Sequence, residues 1–339
     1  MTASRQETDV VIVGAGPVGL FAVFELGMLK IKAAVVDSLE EIGGQCTALY
    51  PEKPIFDIPA HPRIAGAELI ERLEEQAAPF HPTYHLKQQV VGLTRQEDGG
   101  WLVETSAGAE ILCKAVVIAA GGGAFGPNKP PLDGLESYEG SGVFYMVKRR
   151  EDFRGKRIVI AGGGDSAVDW AMSLPEVAEK VYVVHRRDKF RAAPESVERM
   201  RAWEETGKLE MVVPYQLAGL DGADGKLDAV VVKDLDGAER RLEADVLLPF
   251  FGLAAKLGPI ADWGFPVEKN TIPVDPATCQ TPLEGVFAIG DVATYPGKLK
   301  LILQGFSDAA QAAHAIYPRV YPGEALHFEY STTKGVTEI

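Results

Sequence analysis

The sequence predicts an α/β fold of two parallel-sheet units, one inserted into the other, and three stretches carry that expectation. The first, VVIVGAGPVG, is a β-branched run that ends in Gly14-Ala15-Gly16-Pro17-Val18-Gly19 and leads into apolar helical sequence. The second, IVIAGGGDSA, repeats the scheme with Gly162-Gly163-Gly164-Asp165-Ser166-Ala167. The third, GVFAIGD, reads as a further strand that ends in Gly290-Asp291 shortly before a helix near Gln304. Ligands collect at the carboxyl edge of an open parallel sheet, so all three endings face the same kind of site.

Strand, glycine-rich turn and helix in this order open a Rossmann-like unit. The helix N-terminus offers free N–H groups and the positive end of a dipole, and glycines let a pyrophosphate approach closely. Gly14, Gly16, Pro17 and Gly19 are therefore candidate contacts for one dinucleotide, and Gly162, Gly164, Asp165 and Ser166 for another. The two units differ at the end of the next strand, at the same distance from the opening glycine. There the first has Asp37, and the second has His185 followed by Arg186 and Arg187, with Arg191 close behind. A carboxylate accepts hydrogen bonds from ribose hydroxyls and repels a 2′-phosphate. Guanidinium groups bind that phosphate with charge-assisted bonds. Asp37 thus suits the adenosine half of FAD or NAD, and the arginines suit NADP. Two different dinucleotides on one chain imply electron transfer between them.

The other bounds are consistent with a soluble enzyme. The 339 residues are enough for two domains with sizeable cores, and 46% hydrophobic with 24% charged residues is ordinary globular composition. No apolar run is long enough to span a membrane, and MTASRQETD does not read as a secretory leader. A net charge of −14 argues against nucleic acid as a partner. Cys46, Cys113 and Cys279 are too few and too scattered for a disulfide framework or a zinc site, which points to the reducing cytoplasm. His81 and His85 are four apart, but Pro82 between them argues against a metal-binding helix face, so no metal is expected.

Along the chain, a first unit covers 1–122 and 253–339 and a second covers 123–252. In the first, AGAELIERLEEQAAPF has helical periodicity, and QQVVGLTRQ, WLVETSAG and AEILCKAVVIAAGGG read as strands. In the second, DAVVVKDL and ERRLEADVLLPF read as a hairpin turning at Asp236-Gly237. Glycines at both crossings fit either a hinge or tight turns.

With these loops and GVFAIGDVA in this order, the chain resembles the two-dinucleotide flavoproteins of the thioredoxin-reductase type over almost its whole length. It lacks their dithiol. GVFYMVKRREDFRGKRIVI, before the second nucleotide strand, has no cysteine, and the partner position of Cys46 in the glutathione-reductase pattern is Pro51. That leaves Cys46 as a small buried apolar residue. The chain is similar in this to the ferredoxin–NADP reductases of the thioredoxin-reductase-like kind. Two further features match: GGQCTALYPEK, which places Tyr50 where that family stacks a ring on the flavin, and the tail HFEYSTTKG.

The resemblance implies FAD contacts at Gly16, Asp37, Gln45, Tyr50, Val90, Phe125, Asp291 and Thr332, the last from a tail that crosses a homodimer. It implies that Tyr330 stacks on the second flavin face and that Ser331 adds a hydroxyl. The implied reaction passes electrons between NADPH and ferredoxin, hydride first to flavin N5 and then single electrons to the iron–sulfur protein. Ferredoxins are usually acidic, so docking on this acidic chain needs a basic surface; Lys148-Arg149-Arg150 and Lys298 with Lys300 are the expected places. Alternative acceptors (flavodoxin, a quinone, a rubredoxin-like carrier) and a flavin-holding redox sensor without turnover remain open from the residues alone.

Overall fold

A computed structural model describes residues 5–326, together with Thr332 and Gly335. The chain divides into two compact units, Met1–Phe125 with Ala255–Ile339, and Gly126–Ala254 between them. The inserted organisation follows from this division. The two crossing segments, Ala124–Pro127 and Leu253–Lys256, pair with each other as a two-stranded ribbon. Glycine is required beside it: Gly123 has φ +94°, and a Cβ there would sit 2.3 Å from the Lys256 carbonyl oxygen.

The first unit is built on a five-stranded sheet in the order Val286–Ala288, Ala115–Ile118, Val10–Val13, Ala33–Val36, Thr83–His85. Each of its pairings is parallel. Sequences such as VVIV and AVVI are continuous apolar runs because both faces of the sheet are covered. Alternate side chains go to opposite faces. Val10 and Ile12 pack with Val23 and Leu26 of the helix Pro17–Met28 and with Ala312 and Ile316 of the helix Ile302–Val320. Val11 and Val13 pack on the other side with Trp101, Val103 and Ile111. Those three belong to a four-stranded layer of Arg5–Glu7, Glu110–Cys113, Trp101–Thr105 and Val90–Arg95. Ile12 is fully buried, and truncating such a residue to alanine costs about 2–5 kcal/mol.

The second unit repeats the plan with fewer strands. Leu209–Val212, Lys180–Val184, Arg157–Ala161 and Val246–Pro249 form a parallel sheet in that order. Ile158, Ile160 and Val183 face Ala167, Val168 and Ala171 of the helix Asp165–Ser173, and Met200 of the helix Pro194–Ala202. Val159, Val184 and Leu247 face Leu227, Val230, Val232 and Leu242 of an antiparallel sheet of three strands, Gln216–Ala223, Lys226–Lys233 and Glu239–Glu243.

One expected element is corrected here. ERRLEADVLLPF is not one hairpin strand but two strands in two sheets, Glu239–Glu243 and Val246–Pro249. The break has a cause at Asp245, whose carboxylate accepts the Arg157 backbone N–H at 2.9 Å and its guanidinium at 2.7 Å. That pair, chiefly through the guanidinium hydrogen bond, holds Asp245 below the usual carboxylate range.

Candidate dinucleotide-binding sites

In the first unit the glycines of the turn have separate physical duties. Gly14 has φ +116°, and a Cβ on it would lie 2.4 Å from the Ala119 carbonyl oxygen. Gly19 packs against the same turn, with its missing Cβ only 2.0 Å from the Gly14 oxygen. Gly16 is different: a Cβ there would meet no protein atom within 4 Å, yet the residue lines a cleft of about 190 Å3. The absent side chain therefore answers to open space in the cleft and not to protein packing. Pro17 follows at the first helical position, where no N–H is needed, and the first turn holds no acidic residue to oppose an anion.

Asp37 lines the same cleft and is held rigidly. Its carboxylate accepts the Ala15 N–H at 2.6 Å and the Leu39 N–H at 2.8 Å. Gln45 and Tyr50 line it too, at either end of a short turn that runs from Gln45–Ala48 to the tyrosine. Burial raises the Tyr50 phenol well above its ordinary range, helped by Cys46, Asp291 and Asp57, so the hydroxyl keeps its proton. The Cys46 sulfur lies 3.6 Å from that hydroxyl, and burial pushes the thiol up as well. Cys46, Cys113 and Cys279 are all free and buried.

Asp291, in the one-turn helix Gly290–Val292, completes the lining together with Val90. Its carboxylate makes no hydrogen bond among the described residues, and burial raises its pKa, partly opposed by Lys300 and Lys298. A half-buried acceptor with open lone pairs fits a ligand that brings hydroxyl or N–H donors.

The cleft therefore brings together Gly14, Gly16, Pro17, Asp37, Gln45, Tyr50, Val90 and Asp291, with Gly19 beneath it. Gly123 and Ala124 also line it, and Phe125 follows them in the ribbon strand. Thr332 is exposed and does not line the cleft of its own chain. Tyr330 and Ser331 lie outside the described residues. Sequence reasoning missed Gln88, Gln89 and Ile302 as lining residues, and it missed Asp308 behind the Gly290 turn. The signal for Asp308 was a charge on the apolar stripe shared with Ala312, Ile316 and Val320.

Lys298 is a correction. It was expected as a docking cation, but its side chain is 5% exposed and its ammonium pairs with Asp308. Arg149 pairs with Asp152 at 2.7 Å and Arg150 with Glu176 at 2.5 Å, which leaves Lys148 and Lys300 as the exposed cations of the two expected stretches that take part in no ion pair among the described residues.

The second unit has its own turn. A Cβ on Gly162 would lie 2.7 Å from the Phe250 oxygen, and one on Gly163 would strike the His185 ring at 2.3 Å. On Gly164 it would again meet no protein atom within 4 Å. Asp165 and Ser166 open the following helix and are exposed. The His185 ring is seated between Gly163 and Phe190, whose ring centroid is 4.9 Å away. The Arg191 backbone N–H donates to the Gly163 oxygen at 2.6 Å, bringing that residue to the turn. Arg186, Arg187 and Arg191 are exposed and take part in no ion pair among the described residues. His185 is lowered below its usual value, by burial first and then by these three arginines. A cluster of unpaired cations beside a glycine turn is a site for an anion.

Residues 8–315 match the sequence profile of the pyridine nucleotide-disulphide oxidoreductases. The chain belongs to that family. It is 64% identical to the ferredoxin–NADP reductase of Paramagnetospirillum magneticum, over 98% of this chain and 99% of that one. To the ferredoxin–NADP reductase of Rhodospirillum rubrum it is 62% identical, over 98% and 97%. Among solved structures, the thioredoxin reductase of Lactococcus lactis superposes with a TM-score of 0.74 at 28% identity, over 93% of this chain and 99% of that one. The thioredoxin reductase of T. acidophilum gives 0.74 at 26%, over 92% and 98%. The fold is thioredoxin-reductase-like, and within the family the chain groups with the ferredoxin–NADP reductases. Among the described residues, no helix is long and apolar enough to cross a membrane.

Proposed function

We infer that the chain is an FAD-dependent oxidoreductase that moves electrons between NADPH and ferredoxin. The observation that carries this is the contrast between equivalent positions: a rigid, buried carboxylate at Asp37 and a free arginine cluster at Arg186, Arg187 and Arg191. FAD, when bound, supplies the chemistry that converts a two-electron hydride donor into a source of single electrons.

The protein's own groups bind, orient and exclude water. In residues 1–122 and 253–339, the FAD domain, the Gly14–Gly19 turn would hold the pyrophosphate, Asp37 the ribose, and Asp291 and Gln45 further polar groups. Tyr50 offers a protonated phenol ring to one flavin face. In residues 123–252, the NADP domain, the Gly162–Gly164 turn with Asp165 and Ser166 would hold the second pyrophosphate. His185 closes that turn as a neutral ring, and the arginines take the 2′-phosphate. The three buried thiols support a direct route from flavin to acceptor with no dithiol relay. They also support a reducing, cytoplasmic setting.

The tail belongs to the same reading. Tyr330, Ser331 and Thr332 would cover the second flavin face across a homodimer, and Thr332 is exposed on its own chain as such a role needs. Sedimentation of the full chain, with and without residues from Tyr330 onward, tests the dimer and the lid together with the flavin spectrum.

The function is tested by anaerobic NADPH oxidation with ferredoxin as acceptor and a one-electron dye as control. Turnover with both supports the reading. Turnover with the dye alone points to another carrier, and a yellow protein that reduces neither is a flavin-holding sensor.

A further inference from the structure

A buried charge cluster lies directly behind the Gly290–Asp291 turn. Asp308, in the helix Ile302–Val320, is 0% exposed. Its Oδ2 accepts the Gly290 N–H at 2.9 Å, and its Oδ1 accepts the Tyr295 hydroxyl at 2.7 Å. The Lys298 ammonium closes on the same Oδ2. Gln304 ties the loop to this centre, donating to the Tyr295 oxygen at 3.0 Å and accepting the Leu299 N–H at 2.9 Å. All of these groups belong to the first unit.

A carboxylate on the apolar stripe of a helix is costly to bury, and an alanine or leucine would pack that stripe without the cost. What the carboxylate adds is a hold on one backbone group. Gly290 is in the left-handed region at φ +73°, and its N–H points to Asp308. The next side chain, Asp291, lines the cleft.

We propose that Asp308, neutralised by Lys298, is a positioning residue for the FAD site: it holds Gly290 so that the Asp291 carboxylate is presented to the cofactor. The proposal rests on the reading of the first unit as the FAD domain. Lys298 has an electrostatic part in it. With Asp308 paired, the turn offers one anionic charge to an anionic dinucleotide instead of two. The Asp291 carboxyl accords with this: Lys300 and Lys298 favour its ionised form, and Asp308 opposes it.

The test is the rate of FAD release from the full-length holoenzyme, read as rising flavin fluorescence, with thermal melting measured alongside. D308N keeps the shape but leaves a single amide oxygen for which the buried, unpaired Lys298 ammonium competes with the Gly290 N–H, so the hold on Gly290 is lost. Release should be about tenfold faster, with a shifted visible flavin band. K298M/D308N removes both charges and keeps an acceptor for the Gly290 N–H, so release should return to within about threefold of the parent. Parent-like release in D308N, with or without a lower melting temperature, overturns the proposal and leaves a structural role only. So does a double variant as fast as D308N. If D308N does not fold, Y295F removes one bond to Asp308 and should speed release about threefold; unchanged release overturns the proposal. A parent chain that takes up no FAD sinks the reading of the first unit instead, so the two failures are distinguishable.

Discussion

The Asp37 carboxylate accepts the backbone N–H of Ala15 at 2.6 Å and so ties the end of the second strand to the first glycine turn. Any change at Asp37 therefore acts twice, on the ribose contact and on the shape of the turn. Asp37→Asn keeps one acceptor and should weaken FAD binding about tenfold; Asp37→Arg adds a cation and loses both bonds, and about a hundredfold or more is expected. Fluorescence titration of the apoprotein with FAD measures both. Parent-like affinity in Asp37→Arg would remove FAD from this cleft.

Arg186 and Arg187 lack competing ion pairs among the described residues, so nothing in the second unit has to be broken before they bind a phosphate. Replacing both with alanine should raise the KM for NADPH about ten- to hundredfold and leave NADH nearly unchanged. Steady-state rates with each nucleotide and a dye acceptor decide it. Equal efficiency of the two nucleotides in the parent would assign the arginines another purpose.

Both nucleotide turns were legible in the sequence because each is local: a strand, a spaced set of glycines and one residue at the end of the next strand. The Asp308 cluster was not, because its partners Lys298 and Tyr295 come from a loop whose direction only the folded helix reveals. The same limit made Lys298 read as a surface charge. ERRLEADVLLPF read as one strand because its apolar pattern barely breaks at Asp245, where a contact with Arg157 eighty-eight residues away redirects the chain. The strand Gln216–Ala223 was hidden by Gly219 and Gly222, which accompany register shifts in its pairing with Lys226–Lys233.

His185 and His85 are both lowered below the ordinary 6.5, by burial foremost. The unfolded chain then binds more protons than the folded one between the depressed values and 6.5, so stability rises with pH across that window. It is fully present above the unfolded value and is lost as pH falls through the folded one. Urea midpoints between about pH 5 and 8 should show this slope, and H185Q/H85Q should flatten it relative to the parent. An identical slope in the double variant would mean that other groups carry it.

Burial raises the thiols of Cys46, Cys113 and Cys279, the last two to about 12, so none is a thiolate at neutral pH. Replacing all three with alanine should lower the melting temperature, since small cavities open in packed surroundings, and leave NADPH-to-ferredoxin rates within about threefold of the parent. A folded, FAD-loaded variant that has lost several decades of rate would restore a thiol mechanism.

Gly16 and Gly19 differ by three positions and should fail in opposite ways. A methyl on Gly16 meets no protein atom within 4 Å and enters the cleft, whereas one on Gly19 lies 2.0 Å from the Gly14 oxygen. Gly16→Ala should therefore melt, as apoprotein, within about 2 °C of the parent apoprotein and bind FAD at least about tenfold more weakly. Gly19→Ala forces the turn and the helix apart and should destabilise the apoprotein itself by about 1–3 kcal/mol. Comparing melting with FAD affinity in the two variants separates room kept for a ligand from room demanded by packing. If Gly16→Ala binds FAD as the parent does, the pyrophosphate does not pass over this turn, and the cleft holds its ligand some other way.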